Sequence, residues 1–448
     1  MSFLYKVSVH YQKMNTIRKF YIHSAALLCA LSSISSNVVY AEETPLVFSQ
    51  TLQKIEAYQQ PEKWSNQEKI ANLEVAKSKV WDNPTLSIQQ TGFNRRQEKS
   101  SEIVVAQQID IFATKRKAAY VSQIQKQNVI LNKEMYQIQQ FLAVKYFWMQ
   151  ILFLEKEVAI LKQQFEVSEL SLHTAQLRLQ AGSIAKIDFE RVEVSTLDLE
   201  SQYKQQIAAL EILKNKFSKL WGSTASNFHL NEMSEQAWQQ QAESMPLKMN
   251  VYESAVQLQK QSFEAQLDYL KAQAKPKPSV TLGVVRTQSD FEGKSDQQVR
   301  VGLDIPLNIF NREQYSQKIE ETKLKLVEQE RLRYQRQQPI DIQNLFAEIK
   351  LLKEKLNTLT HSQIPLSKSI QQKMLIGFKT GKYAVTDIQL STLELQQRQL
   401  QEVELNRNIF QKTMQLDCLR FGIEPESILY TDAINNLNKS LRLGMENE

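Results

Sequence analysis

The stretch from Ala113 to Gln180 contains neither glycine nor proline, so nothing in it breaks a helix. Two apolar stripes run along it. One follows Val121, Ile124, Leu131, Met135, Ile138, Leu142, Met149 and Leu152, with Asn128 and Lys145 in the remaining heptad places. The other follows Phe147, Ile151, Leu154, Val158, Leu161, Phe165, Leu172, Ala175 and Leu179. Their spacings alternate three and four, the coiled-coil period. At about 1.5 Å per residue such a helix is about 100 Å long, too long for one compact core. Two stripes call for two neighbours, as in a closed ring of helices. An ordinary antiparallel coiled coil is the alternative.

The rest of the chain repeats around this helix. In the first half, a helical stretch (about 48–80) ends at Asp82-Asn83-Pro84. Two short strands (about 84–93 and 101–112), the long helix (113–180), a turn at Ala181-Gly182-Ser183 and a helix (185–221) follow. In the second half, a helix (247–273) ends at Pro276-Lys277-Pro278. Strands (278–288 and 296–307), a long helix (311–380), a turn at Thr380-Gly381-Lys382 and a helix (384–421) follow. NPTLSIQQTGF parallels KPSVTLGVVRT, IDIF parallels LNIF, and AGSIAKIDF parallels TGKYAVTDI, all at nearly one offset. This is one duplicated unit. The domain plan is a leader (1–41), a first repeat (42–222), a linker (223–246), a second repeat (247–422) and a tail (423–448). In each repeat the two shorter helices, stacked end to end, match the long one. Pro61 and Pro339 fall inside helical stretches and predict local breaks or kinks.

The strands alternate. Leu86 and Ile88 share a face; Ile103, Val105, Ile109 and Ile111 share another, opposite Ala106, Gln108 and Asp110. Val280, Leu282 and Val284 alternate with Ser279, Thr281 and Gly283, and Val299, Val301, Leu303 and Ile305 with Arg300, Gly302 and Asp304. Runs of about ten residues with one apolar and one polar face fit membrane-spanning strands. Asp110 and Asp304, on the polar faces, are candidate lumen residues. Two amphipathic hairpins on a soluble domain are the other reading.

Residues 14–41 carry Arg18 and Lys19, an apolar run from Ala25 to Leu31, and Val39-Tyr40-Ala41 before Glu42. This is a secretory signal peptide pattern, with Met14 a plausible start. Leu28 before Cys29 argues against a lipoprotein. No segment approaches 18 consecutive apolar residues, so a membrane is entered as strands or not at all.

Of the 55 basic residues set against 49 acidic ones, Lys6, Lys13, Arg18 and Lys19 sit in the leader, which has no acid. The remainder is nearly neutral, which excludes a general nucleic-acid binder. Cys418 is the sole cysteine beyond the leader, and His173, His229 and His361 lie far apart. No metal-ligand spacing, P-loop, GxGxxG, HExxH or GxSxG motif occurs, so neither an enzyme nor a cofactor is indicated.

Four membrane strands cannot close a barrel, and open edges are not tolerated in lipid. Two copies would give eight strands with a filled interior; three give twelve, wide enough for an opening. The predicted object is mostly α with a small β part: a trimeric 12-stranded outer-membrane β-barrel continued by a periplasmic α-helical barrel. The helix–strand–strand–long helix–turn–helix order resembles the TolC-type outer-membrane efflux factors over nearly all of 48–422. Its best local matches are Leu179-Gln-Ala-Gly182 leading to Asp188 and Phe378-Lys-Thr-Gly381 leading to Asp387. NPTLSIQQTGF, VVAQQIDIFATKRKAA and VGLDIPLNIFNRE are similar to the outer-membrane subunits of cobalt–zinc–cadmium-type heavy-metal efflux systems. Thr114-Lys115-Arg116 stands where that subgroup often has Gly-Lys-Arg.

The resemblance implies a passive duct without cofactor. It works with a periplasmic adaptor and an inner-membrane proton-driven pump of the resistance-nodulation-division class. It also implies that the turns face the adaptor, through Arg178, Ala181, Gly182, Ile184 and Lys186 in the first repeat. In the second, Lys379, Gly381, Lys382, Ala384 and Val385 take that place. Asp387 and Asp188 are gate candidates, since a three-fold axis makes a ring of each. As residues just past a turn, both also suit helix caps. Leu390 replaces a second acid that some members carry. Export of drugs, organic compounds or proteins through the same duct, and a structural coiled-coil envelope tether, stay open.

Overall fold

The computed structural model describes residues 46–58, 61–93, 98–224, 227–233, 238, 250–288 and 295–429. The chain divides into units Met1–Leu46 and Val47–Glu448, and apart from Leu46 the described residues belong to the second. The expected leader lies outside the described residues, as do 225–226, 234–237 and 239–246 of the expected linker, 247–249 of the expected second repeat and 430–448 of the expected tail.

Two helices, α1 (Phe48–Tyr58) and α2 (Pro61–Lys79), lead into strands β1 (Thr85–Thr91) and β2 (Lys99–Gln108). Helices α3 (Thr114–Gln180) and α4 (Lys186–Ser218) follow, with a 3-10 turn at Lys219–Trp221. The second half runs α5 (Val251–Gln273), β3 (Ser279–Gln288), β4 (Ser295–Asp304) and α6 (Gln314–Thr358). A π-helical turn (Leu359–Gln363), α7 (Ile364–Lys379), α8 (Val385–Phe421) and α9 (Glu426–Leu429) complete it.

The 67-residue α3 is the spine. It packs along α2, α4, α5 and α8. Ile124, with Val121 and Leu131, meets Leu258 and Ala265 of α5. Tyr136 and Ala143 meet Trp64 of α2, and Phe165 stacks on Tyr203 of α4. Tyr146 and Phe153 both contact Phe410 of α8. The short helices meet end to end. Asn250, which caps α5 by accepting from the Glu253 N–H at 3.2 Å, also donates to the Leu419 carbonyl near the end of α8 at 3.1 Å. Gly422 closes α8 there with no room for a Cβ, which would lie 2.0 Å from Asn250 Oδ1.

The middle of α3 is the most buried part. Trp148, Phe48, Phe141 and Phe217 are almost wholly enclosed, and Trp148 Nε1 donates to the Asn231 carbonyl at 3.0 Å. Lys145, a polar residue in an apolar heptad place, is 5% exposed. Its ammonium lies 2.7 Å from Asp417 Oδ2 on α8 and 5.2 Å from the Trp238 ring centroid. Towards the turns the contacts between helices become polar. Gln371 Nε2 donates to Gln164 Oε1 at 2.8 Å, Gln164 Nε2 to Gln399 Oε1 at 2.9 Å, and the Ser168 and Thr196 hydroxyls are 2.7 Å apart.

The four strands form one antiparallel sheet in the order β1-β2-β3-β4. Leu86 pairs with Val105, Val105 with Leu282 and Leu282 with Val301; Ile88, Ile103, Val284 and Val299 form the next row. The side chains of these rows thus lie on one face, with Val104 and Val285 on the other, and the rows are exposed, Val299 by 80%.

Three expectations change. First, β2 ends at Gln108, so Ile109 and Ile111 leave the strand. Asp110 is no lumen residue of the sheet: it accepts from the Thr114 and Lys115 backbone N–H groups at 2.7 and 2.8 Å, opening α3. Burial raises the Asp110 carboxyl; these bonds and the charge of Lys277 outweigh it and hold it below the usual range. Second, α6 runs unbroken through Pro339. Third, the irregular turn lies at Leu359–Gln363, just before Pro365. Proline lacks an N–H and its ring crowds the carbonyl four residues back, which the wider turn relieves. Pro61 is the first residue of α2, where its missing N–H costs nothing.

Lys145→Ala will strand the Asp417 carboxylate and destabilise the chain by about 3 kcal/mol. Adding Asp417→Leu will recover most of that loss, read from chemical denaturation followed by helical circular dichroism. Burial, followed by the Asp417 charge, pushes the Cys418 thiol up to about 12. The folded chain will therefore leave Cys418 unlabelled by a maleimide at neutral pH, and unfolding will expose it, as peptide mass spectrometry will show.

Candidate functional site

Two features carry the chemistry: the paired helix turns and the exposed strand face. The turns are built alike. In the first, the Ser183 N–H donates to the Arg178 carbonyl at 2.8 Å and the Gly182 N–H to the Leu179 carbonyl at 2.9 Å. In the second, the Lys382 N–H donates to the Gly377 carbonyl at 2.7 Å and the Gly381 N–H to the Phe378 carbonyl at 3.1 Å. The serine and lysine bonds span five residues and the glycine bonds three, and together they close each helix at a glycine in the left-handed conformation. Gly182 and Gly381 have φ of +66° and +78°, and an added Cβ would meet nothing within 4 Å. Glycine is required for its backbone angle, not for space.

The two turns pack on each other. Ala175, Val192, Phe378, Val385 and Ile388 form a buried cluster, joined by Leu172, Ile184, Phe189, Met374 and Leu375. Arg178 reaches across from the first turn. Its Nη1 donates to the Phe378 carbonyl at 3.2 Å, and its guanidinium sits 4.9 Å from the Phe378 ring centroid. Gln389 Nε2 donates to the Arg191 carbonyl at 2.9 Å.

The expected contact residues therefore divide. Val385, 3% exposed, belongs to the core between the turns; Ile184 packs against that core, and Arg178 is held by Phe378. Ala181, Gly182, Lys186, Lys379, Gly381, Lys382 and Ala384 are exposed. Leu177, Ile187 and Ile376 are exposed apolar neighbours that sequence reasoning missed; only their unfilled places beside the turns signalled them. Gly377 was also missed. It lies inside α7 with the Tyr383 ring over it, so close that an added Cβ would lie 2.1 Å from Cδ2.

The aspartates differ. Asp387 Oδ2 accepts from the Ala384 N–H at 2.9 Å, a cap on the first turn of α8. Asp188 instead lies 3.9 Å from Arg191. The position matching Arg191 in the second repeat is Leu390, which offers no cation, so Asp387 turns back to the helix N-terminus. Both are partly exposed.

On the sheet, the face opposite the apolar one carries Thr281, Gln298, Asp304, and Glu102 ion-paired with Arg300. No helix among the described residues is long and apolar enough to cross a membrane. No group of three or more His, Cys, Asp or Glu side chains gathers among them.

No family model and no curated protein matches this sequence. The fold, a small antiparallel sheet continued by very long paired helices, is that of solved outer-membrane channels. Similar structures include the outer membrane protein VceC from Vibrio cholerae, with a TM-score of 0.65 and 11% identity over 84% of this chain and 96% of that one. CusC, solved in a study of folding and transmembrane channel formation, has a TM-score of 0.65 and 11% identity over 84% and 92%. The outer-membrane channel OprN has a TM-score of 0.63 and 13% identity over 85% and 90%.

Gly381→Ala will strain the positive φ by about 1–2 kcal/mol without a clash. Amide exchange at residues 380–383 will quicken while α3 stays protected. Gly377→Ala will instead displace Tyr383, visible as a change in its ring resonances.

Proposed function

We propose that the chain is the outer-membrane subunit of a tripartite efflux system: a passive, non-enzymatic exit duct. The observation that carries it is the sheet. One face presents exposed apolar rows, the other is mainly polar, and β1 and β4 are open edges. Such edges are not tolerated in lipid, so further copies complete them. Three copies give twelve strands, enough for an opening. The likeness to VceC, CusC and OprN supports the same reading, and a cleaved leader supplies the export.

The exposed turn residues, with Leu177, Ile187 and Ile376, form the surface for a periplasmic adaptor joined to a proton-driven inner-membrane pump. Asp387 and Asp188 stand as gate candidates, Asp387 while capping α8. Heavy-metal cations are the proposed cargo, on the likeness of the strand segments to cobalt–zinc–cadmium-type subunits.

A strain lacking the protein will be sensitive to zinc, cadmium, cobalt or copper and tolerant of dyes and antibiotics. The wild type will restore tolerance and Gly381→Pro will not. Sensitivity to dyes and antibiotics with normal metal tolerance would reassign the cargo to organic compounds. A fully active chain recovered from the soluble periplasm would replace the duct with an envelope tether.

A further inference from the structure

By strand alternation the polar face of the sheet holds Glu102 of β2, Asp296 and Asp304 of β4 and, among the described strand residues, a single cation, Arg300 of β4. Arg300 Nη1 meets Glu102 Oε1, although β3 lies between their two strands. Neighbouring strands stand about 4.8 Å apart, so the pair bridges about 10 Å and the arginine must lie along the sheet. The register shows how it can. The β3 residue beside Arg300 is Gly283, which has Val104 of β2 on its other side. Gly283 puts no side chain in the way, and an added Cβ would lie 2.7 Å from Val104 Cγ2 and 2.7 Å from the Ile103 carbonyl oxygen. The Glu102 side chain is 19% exposed and that of Arg300 60%, so the arginine lies over the carboxylate. Arg300 and Gly283 are the middle positions of their strands on this face. Their neighbours there are uncharged, Thr281 and Gly302 towards the helices and Val285 and Gln298 towards the hairpin end.

We propose that the Glu102–Arg300 pair sets the charge preference of the strand section, by holding the arginine against the wall so that the passage favours cations. This rests on the reading of the sheet as the wall of a duct whose polar face lines the opening. With the pair made, Arg300 is neutralised, and Asp296 and Asp304 leave the face negative. With Glu102 removed, each copy would present an unpaired guanidinium at mid-sheet, and three copies would make a cationic ring. Rings of acids favour cations and rings of arginine or lysine favour anions. Low-dielectric walls strengthen the field of either ring. Removing Arg300 instead would leave only acids as charged groups on the face.

The test uses the purified full chain in planar bilayers of phosphatidylcholine. The permeability ratio of potassium to chloride is read from the reversal potential in a salt gradient. The wild type will favour potassium. Glu102→Gln will lower the ratio about tenfold and Arg300→Gln will raise it about threefold. Glu102→Gln with Arg300→Gln will return it close to the wild-type value, since two neutral side chains then replace a neutralised pair. Arg286→Gln, at an exposed position on the opposite face, will leave it unchanged. Single variants that form channels with the wild-type ratio would overturn the proposal and leave the duct intact. So would a wild type that favours chloride, or a double variant as altered as Glu102→Gln. Failure of the wild type to open any channel would overturn the duct reading and the proposal with it.

Discussion

A helix of 67 residues has no core of its own, so every turn of its apolar surface must be covered from outside. That requirement organises the rest of the chain. Helices α2 and α4 cover parts of α3, α5 and α8 cover others, and the short helices meet end to end because neither alone is long enough. The glycine after α8 and the asparagine before α5 exist to let two helix ends share one place. What α3 cannot cover is left to the sheet, whose apolar face no described neighbour takes over.

The covering changes chemistry along its length. In the middle, large aromatic rings surround Trp148, and the Lys145–Asp417 pair sits among them. A buried ion pair is a poor source of net stability, but it joins α3 of the first repeat to α8 of the second at one register. Nearer the turns, glutamine, serine and threonine replace leucine and phenylalanine at buried positions. Gln164, Gln371 and Gln399 satisfy one another, and a shift of either helix by one turn would leave amides unpaired. Contacts of this kind hold the helices in one alignment with less apolar burial than the middle has.

Much of this was legible in the residues. A stretch without glycine or proline, with two heptad stripes, reads directly as a spine with several neighbours, and alternation in the strands reads as one apolar face. Gly182 and Gly381 announced turns because few other residues accept their backbone angle. The rest depended on geometry that periodicity does not encode. The end of β2 was hidden because Ile109 and Ile111 continue the alternation after the backbone has turned. The burial of Val385 was hidden because its partners, Ala175 and Val192, come from the other repeat. The different partners of Asp188 and Asp387 hang on Arg191 against Leu390, three residues away. Pro339 and Pro365 look alike in sequence, yet the wide turn lies beside Pro365.

That wide turn has a consequence for reading frame. Leu345 and Leu359, both buried, lie two heptads apart, whereas Leu359 and the next buried residue, Ser367, lie one heptad plus one residue apart. The π-turn absorbs the surplus residue, so the inward-facing positions advance by one letter between α6 and α7. A heptad assignment carried straight across 314–379 therefore puts solvent residues in the core on one side of Leu359. Deleting one residue within 359–363 would restore a continuous phase and let an ordinary α-helix bridge the segment. The two halves of the duplicated unit differ here, since α3 is one uninterrupted α-helix and its counterpart is divided by a π-turn.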